Sequence, residues 1–168
     1  QKINRSIPNS VTHLTFGSEF NQEIYGAIPN SVTHLTFGSC FNKKIQKSIP
    51  NSVIYLTFGC EFNQDIEESI PNSVSHLTFG DWFNKKINGA IPNSVTHLTF
   101  GELFNQSIWR AIPNSVTNLT LCFNKNIGYG VIPDSVTHLT FIRCCNVENQ
   151  EEIKRIIPIS VSNLTFTN

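Results

Sequence analysis

The sequence contains no methionine, no excess of charge of either sign and no long apolar run. Twelve Lys and Arg residues balance twelve Asp and Glu residues, so the formal net charge is zero. Nucleic-acid and anionic-membrane partners favour clustered basic residues, and a membrane-spanning helix requires roughly 18 or more apolar residues in a row. The first residues also lack the apolar segment of a secretory signal. We therefore expect neither nucleic acid nor a membrane as a partner.

The cysteines do not form a recognisable framework. Their number is odd, which argues against a set of paired disulfides. They are irregularly placed, at Cys40, Cys60, Cys122, Cys144 and Cys145. Unpaired cysteines are typical of a reducing compartment, so we expect an intracellular, cytoplasmic location.

One phrase is repeated along the whole chain. Residues 91–101 read Ile-Pro-Asn-Ser-Val-Thr-His-Leu-Thr-Phe-Gly, and the Ile-Pro pair occurs eight times. Five of the intervals are 21 residues, one is 20 and one is 25. A period of this length with apolar residues at constant offsets is typical of a solenoid of strand-bearing coils. Residues 1–168 are therefore interpreted as one array of about eight repeats. Since the chain lacks an initiator methionine and begins partway through a repeat, we expect it to be a piece of a longer protein.

The second copy shows how each repeat is expected to fold. Pro29-Asn30-Ser31 has turn chemistry, and the Asn and Ser side chains are expected to bond their own backbone. Val32–Phe37 is rich in β-branched and aromatic residues and predicts a strand that ends at Gly38. Alternation along that strand directs Leu35 and Phe37 inward and the intervening His and Thr outward.

The predicted fold is a repeat solenoid. It has a parallel β-sheet on one face and mostly irregular loops, with room for 3₁₀ or short helical turns, on the other. Each coil contributes one Val, one Leu, two Phe and two Ile to the interior, which only stacking on neighbouring coils can bury.

An asparagine follows the second Phe of nearly every repeat, and its amide is suited to satisfying loop backbone groups of its own and the adjacent coil. We interpret this column as a structural Asn ladder. It consists of Asn21, Asn42, Asn63, Asn84, Asn105, Asn124 and Asn146.

The outward strand positions form two columns, which are the candidate partner-binding residues. The His column consists of His13, His34, Tyr55, His76, His97, Asn118, His138 and Asn163. The Thr column consists of Thr15, Thr36, Thr57, Thr78, Thr99, Thr120, Thr140 and Thr165. Because neighbouring coils of a sheet lie about 5 Å apart, the His column has three readings. It is a face for a protein partner, a stacking ladder of a structural spacer rod, or a weak metal-binding or pH-sensitive surface.

Nothing in the repeat predicts catalysis. A catalytic site requires a nucleophile with a base, paired carboxylates in a pocket, or a phosphate-binding loop. Here Ser and Thr occur as members of repeated columns, and no copy stands apart. We expect a protein that is not an enzyme, without a cofactor, a bound metal or a small-molecule substrate.

The repeat resembles a known family. Its Phe-Asn pair, present in six copies, and its Ile-Pro pair, present in eight, are similar to the FNIP repeat of amoebal and giant-virus proteins, which is grouped with leucine-rich repeats. The resemblance implies a protein-interaction scaffold in amoebal cytoplasm. Some members carry an F-box before the repeats. If one lies outside this chain, the array would be the substrate-binding part of a ubiquitin-ligase adaptor. No F-box or kinase motif occurs in these residues.

Overall fold

The chain forms a parallel β-solenoid with almost no helix. The structure is a computed structural model that describes residue 3 and residues 6–122, 130–142 and 154–167. Eight strands form one sheet, in which each strand pairs with the next along the chain. The strands are β1 (His13–Thr15), β2 (His34–Thr36), β3 (Tyr55–Thr57), β4 (His76–Thr78), β5 (His97–Thr99), β6 (Asn118–Cys122), β7 (His138–Ile142) and β8 (Asn163–Thr167). Residues 154–156 are helical, and turns and irregular segments account for the rest of the described chain. The predicted fold class is confirmed.

Equivalent residues of successive repeats lie side by side. His13 pairs with His34 and Leu14 with Leu35, and the same register continues through all seven strand pairs. The strand in the second repeat is shorter than predicted at both ends. It is preceded by a turn in which the amide of Val32 donates to the carbonyl of Pro29 at 3.1 Å, and it is followed by a turn at Gly38, whose carbonyl accepts a bond from the amide of Phe41 at 3.2 Å. Each position of the repeat therefore becomes a straight column along the solenoid.

The apolar residues of the repeat fill the interior, as predicted. In the second coil every one of them is at most 7% exposed. These residues are Val32, Leu35, Phe37, Phe41, Ile45 and Ile49. Strand alternation places Leu and Phe on the inner side, while the loop supplies the second Phe and the two Ile residues. Burial of this set on the neighbouring coils is the main source of stability.

The phenylalanines form two interleaved stacks through the core. Within one coil, the ring centroids of Phe37 and Phe41 are 4.0 Å apart. Between coils, Phe37 lies 5.5 Å from Phe58, and Phe41 lies 6.1 Å from Phe62. Parallel rings at these distances add to the energy of area burial. Each ring therefore contacts partners in its own coil and in both neighbours.

A glycine column allows the coils to approach closely at the end of the strands. A Cβ atom on Gly38, Gly59 or Gly80 would overlap the backbone of the preceding coil. The sixth and seventh repeats have Cys122 and Ile142 at this position, and their strands are five residues long instead of three. The glycine therefore sets the position of the turn that shortens β1–β5.

From the second repeat onward, the serine two residues after the proline of Ile-Pro bonds the preceding coil, so the prediction that Ser31 bonds its own turn was wrong. The hydroxyl of Ser52 donates to the carbonyl of Val32 at 2.7 Å, and the hydroxyl of Ser73 donates to that of Val53 at 2.7 Å. The same bond occurs one coil apart at Ser31, Ser94, Ser115, Ser135 and Ser160. The turn is closed instead by backbone, since the amide of Val53 donates to the carbonyl of Pro50.

A second turn, before six of the Ile-Pro pairs, places the residue two positions ahead of the Ile in the left-handed region. Gly26 and Gly89 have φ angles of 67° and 69°, and Lys47, Glu68 and Arg110 adopt the same conformation without being glycine. The next residue closes the turn, as when the amide of Ser48 donates to the carbonyl of Ile45. That next residue is buried, which explains why it is Ser or Ala in these copies.

The last strand differs from the others in exposure. Leu164 and Phe166 are 41% and 49% exposed, whereas the aligned Leu139 and Phe141 are at most 1% exposed. No described coil stacks on the outer edge of β8, so its inward-type side chains meet solvent. The 20-residue and 25-residue intervals of the repeat contain residues 123–129 and 143–153, which lie outside the described residues. None of the described helical residues belongs to a helix long and apolar enough to span a membrane.

Candidate partner-binding face

The His and Thr columns lie on the outer face of the sheet. In β2 the central Leu35 is 1% exposed, while His34 and Thr36 on either side are partly exposed. His13, Tyr55 and His138 are more exposed than His34 or His76. The face therefore consists of ring and hydroxyl side chains above a buried Leu column.

The rings of the His column stack on one another. Ring centroids are 4.0 Å apart for His13 and His34, and 4.3 Å for His34 and Tyr55. The stack continues from Tyr55 to His76 at 4.3 Å and from His76 to His97 at 4.1 Å. These distances are shorter than the usual strand separation of about 4.8 Å, so the rings are in van der Waals contact. The rings of five coils therefore form one continuous stack.

A hydroxyl group orients each imidazole. The Nδ1 atom of His34 lies 2.9 Å from the hydroxyl oxygen of Thr33, and the Nδ1 atom of His76 lies 2.9 Å from that of Ser75. Thr12, Thr96 and Thr137 make the same contact with the histidine that follows them. In every case Nδ1 is the engaged nitrogen, so these contacts do not use Nε2. The residue before each histidine was not among the predicted site residues, although its hydroxyl is visible in the repeat.

Burial and neighbouring rings oppose protonation of His34 and His76. Desolvation, followed by the charge that His13 would carry, lowers the pKa of His34. Desolvation also lowers the pKa of His76, with smaller contributions from the charges of His97 and His34. Both causes disfavour the charged imidazolium. These two histidines are therefore protonated less readily than an ordinary histidine.

The stacked geometry does not suit a shared metal ion. Metal-bound nitrogens must converge on one centre at about 2.0–2.1 Å, but the rings of His13 and His34 are within 12° of parallel. Equivalent nitrogens on parallel rings point in the same direction instead of toward a common point. Within the described ranges, no group of three or more His, Cys, Asp or Glu side chains could hold a metal ion.

The Asn column runs along the side of the coil that follows the sheet. The amide nitrogen of Asn63 donates to Oδ1 of Asn42 at 3.0 Å, and the Nε2 amide of Gln64 donates to the same oxygen at 2.8 Å. Bonds of the first kind also join Asn42 to Asn21, Asn84 to Asn63, and Asn105 to Asn84. Each side-chain oxygen therefore ties its coil to the next one. Asn124 and Asn146 lie outside the described residues.

Two exposed apolar side chains lie beside the sheet and were missed from the sequence. Trp82 and Leu103 are 51% and 56% exposed and occupy the same position of adjacent repeats, directly before the Phe of Phe-Asn. The sequence did contain a signal. A turn position that holds Glu19, Cys40 and Glu61 in the other copies is a solvent position, so an apolar residue there is exposed.

Two surface depressions lie away from the His column. One of about 430 Å³ is lined by the Ile-Pro turns of the first two repeats. Another of about 220 Å³ is lined by polar side chains on the loop side, among them Lys44 and Asp65. Neither depression is lined by a residue of the ring stack.

The chain matches the family model described as the FNIP Repeat. The matches cover residues 1–40, 25–61, 41–81, 62–103 and 104–144, which together span the chain as far as residue 144. No curated protein matches the chain.

Proposed function

The chain belongs to the FNIP repeat family, and from that premise we propose that it is a non-enzymatic scaffold that holds a protein partner on its strand face. The observation that carries the proposal is the stack of five rings from His13 to His97 on an uncovered sheet. In the other parts of the repeat, the apolar residues recur at constant spacing because they form the core. The ring stack is on the solvent side, where burial in the core cannot account for it.

The stack is already ordered before a partner arrives. Each imidazole is held by the preceding hydroxyl, as His34 is by Thr33, and by the rings above and below it. Ordering flexible side chains opposes association, and this face requires little further ordering. Tyr55, which is 39% exposed in the middle of the stack, is of a residue type enriched at interface hot spots.

The chemistry of the face favours a partner recognised by shape and hydrogen bonding. The His and Thr columns contain no Lys, Arg, Asp or Glu, so long-range attraction to nucleic acid has no source there. Imidazole nitrogens and threonine hydroxyls can both donate and accept hydrogen bonds. A protein surface offers amides, hydroxyls and apolar groups that match this combination.

The family and the cysteines favour a cytoplasmic location for the scaffold. Cys40 and Cys60 carry free thiols, which suits the reducing cytoplasm of an amoebal cell, or of an infected host if the protein is viral. An F-box outside this chain would make the array the substrate-binding part of a ubiquitin-ligase adaptor. The residues that precede Gln1 are the observation that would decide between an adaptor and a scaffold of another kind.

The experiment that tests the proposal is affinity capture with matched variants. Wild-type protein and a His34→Ala/His76→Ala variant are used as baits in amoebal lysate. A Lys44→Ala/Lys86→Ala variant, altered on the exposed loop side, is the control bait. A partner retained by the wild type and the control but lost from the histidine variant supports the proposal. Circular dichroism and thermal unfolding establish that all three baits are folded.

The other outcomes select the alternatives. If the wild type captures no partner above background, or if all three baits retain the partner equally, the protein is not a strand-face scaffold. Full tolerance of the histidine substitutions in every assay is what a structural spacer rod predicts. The lowered pKa values of His34 and His76 favour a second candidate, a pH-sensitive surface, in which capture changes between pH 7.5 and pH 5.5.

A further inference from the structure

The exposed pair Trp82 and Leu103 lies at one border of the strand face. In each of the first five repeats, two residues follow the glycine at the end of the strand, and we call these pairs the post-strand rim. They are residues 18–19, 39–40, 60–61, 81–82 and 102–103. Because the coils stack in register, the pair at Trp82 and the pair at Leu103 are neighbours. Two large apolar side chains are therefore half exposed side by side.

The backbone of Trp82 and of Leu103 is held by hydrogen bonds to the preceding coil. The amide of Trp82 donates to the carbonyl of Cys60 at 2.9 Å, and the amide of Leu103 donates to that of Asp81 at 2.9 Å. The next residue, Phe83, is fully buried, and its ring centroid lies 3.9 Å from that of Phe79. The indole of Trp82 thus projects from a turn that is anchored in the core and in the preceding coil. Core packing fixes Phe83 but gives no reason for an indole at the solvent position before it.

The charged residues of the post-strand rim have one sign. The post-strand rim contains no Lys or Arg, and it contains the four carboxylates Glu19, Glu61, Asp81 and Glu102. Asp81 is adjacent to Trp82 in the chain, and Glu102 is adjacent to Leu103. The whole chain is neutral, so this concentration is local. An apolar anchor with carboxylates on its border complements a segment that presents an apolar side chain next to Lys or Arg.

We propose that the post-strand rim at Trp82 and Leu103 is the anchor point for a basic segment of the protein partner. This inference rests on the proposed function and deepens it by naming the chemistry of the partner. The partner's apolar side chain packs on the indole and on Leu103, and its cationic side chains lie against Asp81 and Glu102. A standard interface buries about 800 Å² on each partner, which two side chains cannot supply. The adjacent strand face completes the contact.

The test uses a phage-displayed library of random peptides selected on the wild-type protein. We expect the enriched peptides to carry Lys or Arg next to an apolar residue. Binding of these peptides to Trp82→Ala should be weaker by about tenfold or more, as for a hot-spot residue. Binding to Asp81→Asn/Glu102→Gln should also be weaker and should depend less on salt concentration.

The matched control is Trp109→Ala. Trp109 has the same exposed fraction as Trp82, 51%, but lies outside the post-strand rim, in the turn before Ile112-Pro113, with the guanidinium carbon of Arg110 5.3 Å from its ring centroid. Binding to this variant should equal that of the wild type. Both tryptophans are exposed, so both variants should keep the thermal unfolding midpoint of the wild type, which circular dichroism checks.

Three results would overturn the inference. They are failure to enrich any peptide, enrichment of peptides without basic residues, and equal binding to the wild type and to Trp82→Ala. The proposed function fails by a different result. A partner captured by the wild type, lost from the His34→Ala/His76→Ala variant and retained by Trp82→Ala would uphold the strand-face scaffold and reject the rim.

Discussion

The backbone of Gly38 lies so close to Gly59 that Gly59 has no room for a side chain. A Cβ on Gly59 would overlap the carbonyl oxygen of Gly38, which is backbone and cannot rotate away. The two residues occupy the same position in adjacent coils, directly after β3 and β2. The separation of the coils at this corner is therefore set by the absence of side chains.

The first prediction follows from that contact. Gly59→Ala should destabilise the protein by about 3 kcal/mol, at the upper end of the range for overpacking, because the coils must separate to admit the methyl group. Gly17→Ala is the matched control, since the same atom on Gly17 would have nothing within 4 Å. Urea unfolding of both variants checks this. Equal free energies of unfolding for the two variants would mean that the coils adjust without penalty.

A second prediction concerns the left-handed column. Glu68 adopts a φ of 50°, a region that disfavours residues with a side chain. Glu68→Gly should stabilise the protein by about 0.5–1 kcal/mol after allowance for the greater freedom of glycine in the unfolded chain. Gly89→Ala, at φ 69° and with open space around its Cβ, should have the opposite effect. Thermal unfolding midpoints that shift in the same direction for both variants would contradict the argument.

The third prediction is a pH dependence of stability. The pKa values of His34 and His76 lie below the ordinary value of about 6.5, so the unfolded chain binds protons at a higher pH than the folded chain does. Their contribution to stability is complete above pH 6.5 and decreases as the pH falls from there toward the folded pKa values. The unfolding midpoint should therefore be lower at pH 5.5 than at pH 7.5.

The control for this pH effect is supplied by the chain itself. Asn118 occupies the same column and cannot titrate, and Oδ1 of Asn118 accepts a hydrogen bond from Thr117 at 2.9 Å. A His34→Asn/His76→Asn variant should keep the hydroxyl contacts and show a smaller difference between the two pH values. An unchanged difference would assign the pH effect to other groups.

The fourth prediction compares two asparagines. Asn42 accepts bonds from the amide of Asn63 and from the side chain of Gln64, so Asn42→Ala should reduce the free energy of unfolding by about 1–2 kcal/mol. Asn51 is exposed at the tip of a Pro-Asn-Ser turn, and Asn51→Ala should change it by less than about 0.5 kcal/mol. Chemical denaturation measures both. A larger loss for Asn51→Ala than for Asn42→Ala would show that the column does not hold the coils together.

The repeat predicted those features that depend on which residues are apolar. Leu35 and Phe37 were assigned to the interior from strand alternation, and Phe41 and Ile45 from their recurrence, and all four are buried. These predictions succeed because burial on a neighbouring coil follows from period and polarity alone.

Features that depend on the distance between coils could not be predicted in the same way. The serine of the repeat was expected to bond its own turn, but the hydroxyl of Ser52 donates to the carbonyl of Val32 in the adjacent coil at 2.7 Å. The left-handed position of Glu68 was also missed, although Gly26 and Gly89 in the same column indicated it. The stacking of His34 on Tyr55 was one of the three readings of the His column, and the repeat alone could not select it because it does not give side-chain orientations.

The strictly sequential order of the strands has a consequence for how the molecule comes apart. Since every strand pairs only with the ones before and after it, a coil at either end is supported on one side and an inner coil on two. Opening should therefore begin at the termini and advance inward one coil at a time, as in a one-dimensional chain of coupled units. Amide hydrogens of β4 and β5 should then exchange with solvent more slowly than those of β1 and β8.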